Sequence, residues 1–269
     1  MIANYHTHTW RCGHAEGSEQ DYVQQAVNAG LKTLGFSDHT PYDFFDAEPR
    51  NPSIRMKPEE LPEYAAAIRK FANEYRDQIQ IFTGVEAEYY PKYFPRTLEM
   101  LKENGIQYMI LGQHFLGNEI GEPYCGRPCS DRKMLERYVA QTIEALDTGL
   151  FLYFAHPDLI HFVGSSSVYE REMRKLCQAA KRTGTPLEIN LLGIRENRHY
   201  PNEQFWQIAA EEGSTVILGS DAHSPQHVVD PESERYALAL VERLGLKCQL
   251  SIDEFCIKSK LCAAGGGTR

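Results

Sequence analysis

Seven short apolar runs recur along this chain, each closing on a polar residue with ligand chemistry and each followed by a longer amphipathic stretch. The runs are "IANYHTH" (2–8), "TLGFSD" (33–38), "IQIFTGVEAE" (79–88), "QYMILGQH" (107–114), "LYFAH" (152–156), "PLEIN" (186–190) and "TVILGSD" (215–221). Their length is that of strands. Helical character falls near 18–29, 58–76, 94–104, 131–147, 168–183, 203–212 and 233–244. Ser18 followed by Asp21 marks the start of the first helix as a capping box, and Gly30 suits the position just past its end. Gly149, Gly184, Gly213 and Gly245 end four others in the same way. Strands alternating with helices imply βαβ units and a parallel sheet. Seven such units are unusual in an open doubly wound sheet and suit an α/β barrel one unit short of eight. No G-x-G-x-x-G follows the first run and no P-loop occurs, which removes support for the nucleotide-binding α/β folds. The segments 40–57 and 115–130, rich in Pro, Gly and charge, read as long loops on the side where a barrel carries its active site.

Composition narrows the class. The 269 residues suit one barrel unit over 1–269, with a Gly-rich tail at 263–269 expected to fray. A net charge of −9 argues against an extended nucleic-acid partner, whereas a small anionic substrate needs only a few local cations. The longest apolar run, "LFLYFA" (150–155), is strand-sized, and no basic flank precedes an apolar run at the N-terminus. No membrane partner is therefore expected, and a cytoplasmic location is. Seven cysteines, odd in number and scattered, read as free thiols of a reducing compartment. Cys12, set among histidines, is the one placed to meet a metal. The sequence carries no signal for an oligomeric state.

The ends of the runs carry the chemistry. They close on His6 and His8, on Asp38 and His39, on Glu86 and Glu88, on His114, on His156, on Glu188 and Asn190, and on Asp221 with His223. Side chains at i and i+2 of a strand share a face, so His6 pairs with His8 and Asp221 with His223. In a barrel the C-terminal strand ends converge on one mouth. Adding His14 from "WRCGH", seven of the ten histidines, one glutamate and one aspartate meet there. Any one of them alone reads as an ordinary hydrogen-bonded core residue. Crowded together they would leave many buried polar groups without partners, at about 1–3 kcal/mol each. Divalent metals take those lone pairs, and nine ligands exceed the three or four that one tetrahedral ion needs. They suffice for a cluster of two or three.

In these motifs the chain resembles the PHP family, the polymerase and histidinol phosphatase superfamily: "HTHT" at 6–9, His14, "SDH" ending at His39, "GVEAE" around Glu86, His114, "HPD" at 156–158 and "GSDAH" at 219–223. The resemblance implies a distorted (β/α)7 barrel and three divalent ions, variously zinc, manganese or iron. It implies one ion on His6, His8, Glu86 and Asp221, a second on His14, His39 and His223, and a third on Glu86, His114 and His156, with Glu86 bridging two. "LEINLLGIRENRHYP" (187–201) and "GSDAHSPQHV" (219–228) are similar to segments of the histidinol-phosphate phosphatases. Many of those enzymes carry an arginine shortly after the His-x-Asp of strand five. Here "HPDLIHFVG" (156–164) has none, and Arg195 and Arg198 in the loop after strand six are expected to hold phosphate instead.

The expected reaction is hydrolysis of a small phosphate monoester, most simply L-histidinol phosphate, by a metal-bridging hydroxide whose pKa has fallen toward ~7. Arg195, Arg198, His199, His161 and His227 are the expected substrate contacts, and Asp221 assists proton handling besides binding metal. Asp158 is expected to orient His156 from behind. Glu88, Asp43 and Tyr42 lie in loops suited to the cationic end of the substrate. Arg195 and Arg198 have a plainer reading as partners of Glu196 and Glu203 on a solvated loop. Alternatives are a phosphoesterase of the same family acting on a nucleotide or sugar phosphate, and a metal-stabilised scaffold without catalysis. An amidohydrolase-type barrel also begins with His-x-His, but the fourth run ends in Gln113–His114 and offers no lysine ligand.

Overall fold

The computed structural model describes residues 1–43, 54–117, 119 and 121–262; the tail at 263–269 and residues 44–53 of the first long loop lie outside the described residues. Eight strands form one sheet in sequence order, and every pairing in it is parallel. They are β1 (Ala3–Asn4), β2 (Thr33–His39), β3 (Gln80–Ala87), β4 (Tyr108–Leu111), β5 (Phe151–Phe154), β6 (Leu187–Asn190), β7 (Thr215–Gly219) and β8 (Lys247–Gln249). The helices are α1 (Glu19–Asn28), α2 (Leu61–Glu74), α3 (Phe94–Glu103), α4 (Arg132–Asp147), α5 (Ser166–Thr183), α6 (Leu191–Arg195), α7 (Glu203–Glu212), α8 (Pro231–Leu244) and α9 (Glu254–Cys262). The capping box of α1 is present: Asp21 N–H donates to Ser18 Oγ at 3.3 Å, and Ser18 N–H to Asp21 Oδ2 at 2.8 Å.

The seven expected strands are all present, and β8 is an addition. At the mouth, the chain beyond β1 pairs directly with the chain beyond β7. Thr7 and Ala222 form a parallel bridge, with His8 N–H donating to Ala222 O at 2.9 Å and Ala222 N–H to His6 O at 3.2 Å. At the other end β8 lies against the start of β7, pairing Thr215 with Lys247. The result is a seven-strand ring at the mouth with an eighth strand let in at the base: the α/β barrel that the spacing predicts, in the distorted form that the resemblance implies. The polar triplet "KCQ" of β8 is too short for a period to announce it. Among the described residues, no helix is long and apolar enough to cross a membrane.

Two apolar layers hold this arrangement. Leu34, Phe36, Leu111, Phe154 and Trp206 pack between sheet and helices, while Tyr5, Phe82, Tyr108, Tyr153 and Ile217 fill the barrel itself. Each fully buried side chain of this size contributes roughly 1.5–3 kcal/mol. The Tyr108 hydroxyl lies between the carbonyl oxygens of Tyr5 (2.9 Å) and Phe36 (3.0 Å). Gly35 and Gly84 make room for it, since a Cβ at either would collide with the Tyr108 side chain. Ile252, whose N–H donates to Tyr5 Oη at 2.9 Å, and Ile257 of α9 close the base. Along β3 the inward positions run Phe82, Gly84, Glu86, so the interior changes from apolar to charged within one strand.

That packing sets a stability prediction. Gly84→Ala overfills the space beside Tyr108 and is expected to cost about 1–3 kcal/mol. Tyr108→Phe strips a donor from two buried carbonyls and is expected to cost about 1–2 kcal/mol. Denaturant unfolding of each variant reads both; wild-type midpoints would contradict the packing.

Candidate metal centre

Glu86 stands at the centre of the mouth, 1 % exposed. Its carboxylate occupies the space that a side chain at residue 112 would need, and that residue is glycine. Oε2 faces His39 Nδ1 at 3.1 Å and His6 Nε2 and His8 Nε2 at 3.5 Å each. Oε1 faces His156 Nε2 at 2.8 Å and His114 Nε2 at 3.5 Å. Asp221 Oδ1 lies 3.2 Å from His8 Nε2, 3.5 Å from His6 Nε2 and 3.3 Å from His223 Nδ1. His14 and His223 point Nε2 at Nε2 across 3.0 Å. All nine residues expected at the mouth are therefore gathered there.

Two of them arrive by strained backbone. β5 ends at Phe154 and β7 at Gly219, and His156 and Asp221 follow with φ of 34° and 47°. Non-glycine residues in this region carry a conformational cost of order 1–3 kcal/mol and persist where surrounding structure over-determines them. The strand rule that places i and i+2 together thus does not describe Asp221 and His223; the turn brings them together instead.

The electrostatics are unbalanced without a cation. His6 Nε2, both ring nitrogens of His8, Glu86 Oε2, His156 Nδ1 and Asp221 Oδ1 are buried with no hydrogen-bond partner. Burial would raise Glu86 and Asp221, but facing imidazoles, His114 first for Glu86 and His6 first for Asp221, hold both well below the carboxylate range. Burial drives His39 down to about 3, with His8 adding to it, and lowers His14 as well. Those rings are neutral and offer lone pairs. His8, opposed by burial, is raised to about 9 by Asp221 and Asp38. Two buried carboxylates thus rely on protonated, equally buried imidazoles, an arrangement that a divalent ion replaces. Groups with ligand atoms mutually within 4.8 Å include His6–His8–Glu86, His6–His156–Asp221, His8–His39–His223 and Cys12–His14–His223. The donor set of imidazole and carboxylate suits zinc, iron or manganese.

Carboxylates that the strand ends display but spacing alone leaves unassigned support this cluster. Glu188 Oε1 lies 2.8 Å from His6 Nδ1, and Glu88 Oε1 lies 3.0 Å from His114 Nδ1. Asp38 accepts from Thr9 N–H at 3.1 Å and stands 3.6 Å from His8 Nδ1. Asp158 is not behind His156: its Oδ2 accepts from Asn202 N–H (2.6 Å) and Trp206 Nε1 (3.0 Å). Glu88 is also bonded by Tyr42 Oη at 2.7 Å and pairs with Arg55 at 3.5 Å, and Asp43 pairs with Arg96 at 2.9 Å, so all three expected partners of a cationic substrate group are already engaged.

A cavity of ≈ 580 Å³ opens above the cluster, within the range of small-molecule sites. Of the five expected substrate contacts, Arg198 lines it, and its guanidinium also meets Glu196 (2.6 Å) and Tyr200 Oη (2.9 Å). The other four are not among the described residues that line it. Arg195 is drawn away by Asp230 (3.1 Å) and by the Asp221 carbonyl (3.3 Å). His161 and His199 stack on each other at 4.0 Å, and His199 Nε2 meets Leu159 O at 2.8 Å. His227 Nδ1 meets Ser224 Oγ at 2.8 Å. In their place the 115–130 loop supplies Tyr124, whose ring lies 6.3 Å from that of His114 and nearly parallel to it, and Arg127. The Arg127 side chain is exposed and has no hydrogen-bond or ion-pair partner among the described residues. Loop side chains follow no period, so the sequence locates this loop without saying which residue faces the cavity.

Comparison with known proteins agrees with this geometry. The model of the PHP domain matches residues 4–191. A probable histidinol-phosphatase of Deinococcus radiodurans is 32 % identical over 237 residues, covering 84 % of this chain and 88 % of that protein. A probable histidinol-phosphatase of Schizosaccharomyces pombe is 29 % identical over 263 residues, covering 85 % and 82 %. In fold, the chain is similar to the histidinol phosphate phosphatase of Lactococcus lactis, crystallised with zinc, L-histidinol and phosphate. The TM-score is 0.73 at 18 % identity, covering 96 % of this chain and 98 % of that one. With the motifs and the barrel in agreement, the chain belongs to the PHP-domain family.

Proposed function

We propose that this protein is a metal-dependent phosphomonoesterase that hydrolyses L-histidinol phosphate to L-histidinol and inorganic phosphate. The observation that carries the reading is the gathering of nine nitrogen- and oxygen-bearing side chains, Glu86 at their centre, several of them buried with unpartnered atoms, beneath a cavity of small-molecule size. The naming of the relatives supports the substrate. His6, His8, Glu86 and Asp221 would hold one ion, His14, His39 and His223 a second, and Glu86, His114 and His156 a third. Bound there, divalent ions activate water and screen the charge of the phosphate.

The remaining roles fall to the chain itself. Glu86, with imidazoles facing both oxygens, keeps the donor groups at fixed separation. Asp221 has Oδ2 anchored by Asn190 Nδ2 at 3.1 Å and Oδ1 turned toward the histidines, and this oxygen is our candidate for proton handling. Arg198 and Arg127 are the cations that would grip the phosphate oxygens, charge-assisted donors being the strong ones. Tyr124, Tyr200, Glu88, Glu122 and Glu196 line the cavity where an imidazole and an ammonium would lie, the three carboxylates also meeting Arg55, Arg137 and Arg198. Cys12, Cys125, Cys129, Cys177, Cys248 and Cys256 are free thiols, which supports a cytoplasmic location.

The test is phosphate release from L-histidinol phosphate by protein reconstituted with zinc, manganese or iron, alongside a mononucleotide and an aryl phosphate. Histidinol phosphate is expected to be turned over at least a hundredfold more efficiently, with loss of activity on chelation. Equal cleavage of all three would transfer the reading to another phosphate ester, and no cleavage with any metal would leave a scaffold. Arg198→Ala and Arg127→Ala are each expected to raise KM about tenfold, equivalent to ~1.4 kcal/mol. Arg195→Ala, acting through the Asp221 backbone, is expected to lower kcat instead. A KM effect confined to Arg195 would contradict the assignment.

A further inference from the structure

Glu188 stands on β6, 0 % exposed, and is not one of the nine residues gathered at the mouth. Its Oε1 lies 2.8 Å from His6 Nδ1. Its Oε2 accepts from the His156 backbone N–H at 3.1 Å and from Asn190 Nδ2 at 2.9 Å. The same Asn190 nitrogen reaches Asp221 Oδ2 at 3.1 Å. One carboxylate thereby connects a histidine beyond β1, a histidine beyond β5 and an aspartate beyond β7. Two of those three are the residues held at positive φ, so Glu188 and its partner Asn190 sit where the backbone most needs restraint. The space for the carboxylate exists because residue 219 has no side chain: a Cβ there would overlap Glu188 Oε1. Residue 219 does not have a positive φ that would call for glycine on its own account.

We propose that Glu188 is a positioning residue of the metal centre, resting on the reading of that centre given above. It would not itself hold an ion. By accepting from His6 Nδ1–H it selects the tautomer whose Nε2 presents its lone pair to the space between Glu86 and Asp221. By accepting from His156 N–H and Asn190 it holds two other donors at the matching distance. Partners of this kind typically govern metal affinity by 10–100-fold.

The test compares wild type, Glu188→Gln and Gly219→Ala. Gln keeps the volume but has only one acceptor oxygen, so its NH2 must face either His6 Nδ1 or the His156 N–H and Asn190 Nδ2 pair, and one of the two contacts is lost. Gly219→Ala leaves Glu188 intact and displaces its carboxylate. Zinc affinity is measured by competition with a chromophoric chelator, ligand geometry by the visible absorption of cobalt(II)-substituted protein, and fold by the Tm of the metal-free forms. Both variants are expected to bind zinc 10–100-fold more weakly and to shift the cobalt bands, with the metal-free Tm of Glu188→Gln close to that of wild type. If Gly219→Ala does not fold, Glu188→Gln decides alone. Unchanged zinc affinity and cobalt spectra, whatever the Tm, would make Glu188 merely structural and overturn the proposal. A wild type that takes up no metal would overturn both the proposal and the reading beneath it.

Discussion

A buried carboxylate wedged among five imidazoles is the constraint from which the rest of this molecule follows. Glu86 cannot sit at 1 % exposure with an unpartnered oxygen unless charge is brought to it, because isolated buried anions are strongly disfavoured. The chain answers by delivering donors from the ends of its parallel strands, which only a closed parallel arrangement brings to a common point. The parallel bridge between Thr7 and Ala222 is therefore part of the site, since it fixes His6 and His8 against Asp221.

The support is layered. Beneath Glu86, Tyr108 fills the barrel over Gly35 and Gly84, giving the charged layer a close-packed floor. Around it, Glu188 and Glu88 bond the outward ring nitrogens of His6 and His114, which leaves Nε2 of each facing inward, and Asp38 stands 3.6 Å from the outward nitrogen of His8. Above it, the loops carry the arginines and tyrosines of the cavity. Preorganised polar groups of this kind favour chemistry on a charged substrate because little rearrangement is needed as charge moves.

Much of this was legible in the residues. Strand and helix positions follow from period and turn residues, and eight of the nine gathered residues from the rule that parallel strand ends share a mouth, His14 coming from the turn after the first run. What was hidden is physical in origin. β8 is three residues of a polar triplet, and α9 carries Phe255 at 80 % exposure, so neither shows a clean period. Glu188 is visible as a strand-end residue, but the notch at Gly219 that admits it is a contact between strands. Arg195 and Arg127 differ only in which neighbours claim them: Asp230 and a backbone carbonyl take the first, and no described side chain takes the second.

The claim on which everything else depends is that Glu86 is shared between ions, and elemental analysis of metal bound per chain tests it most directly. Wild-type protein reconstituted with zinc and freed of excess is predicted to hold three ions per chain, and Glu86→Gln to keep only the one assigned to His14, His39 and His223. A wild type that holds a single ion, or a Glu86→Gln variant that retains the full complement, would contradict the account.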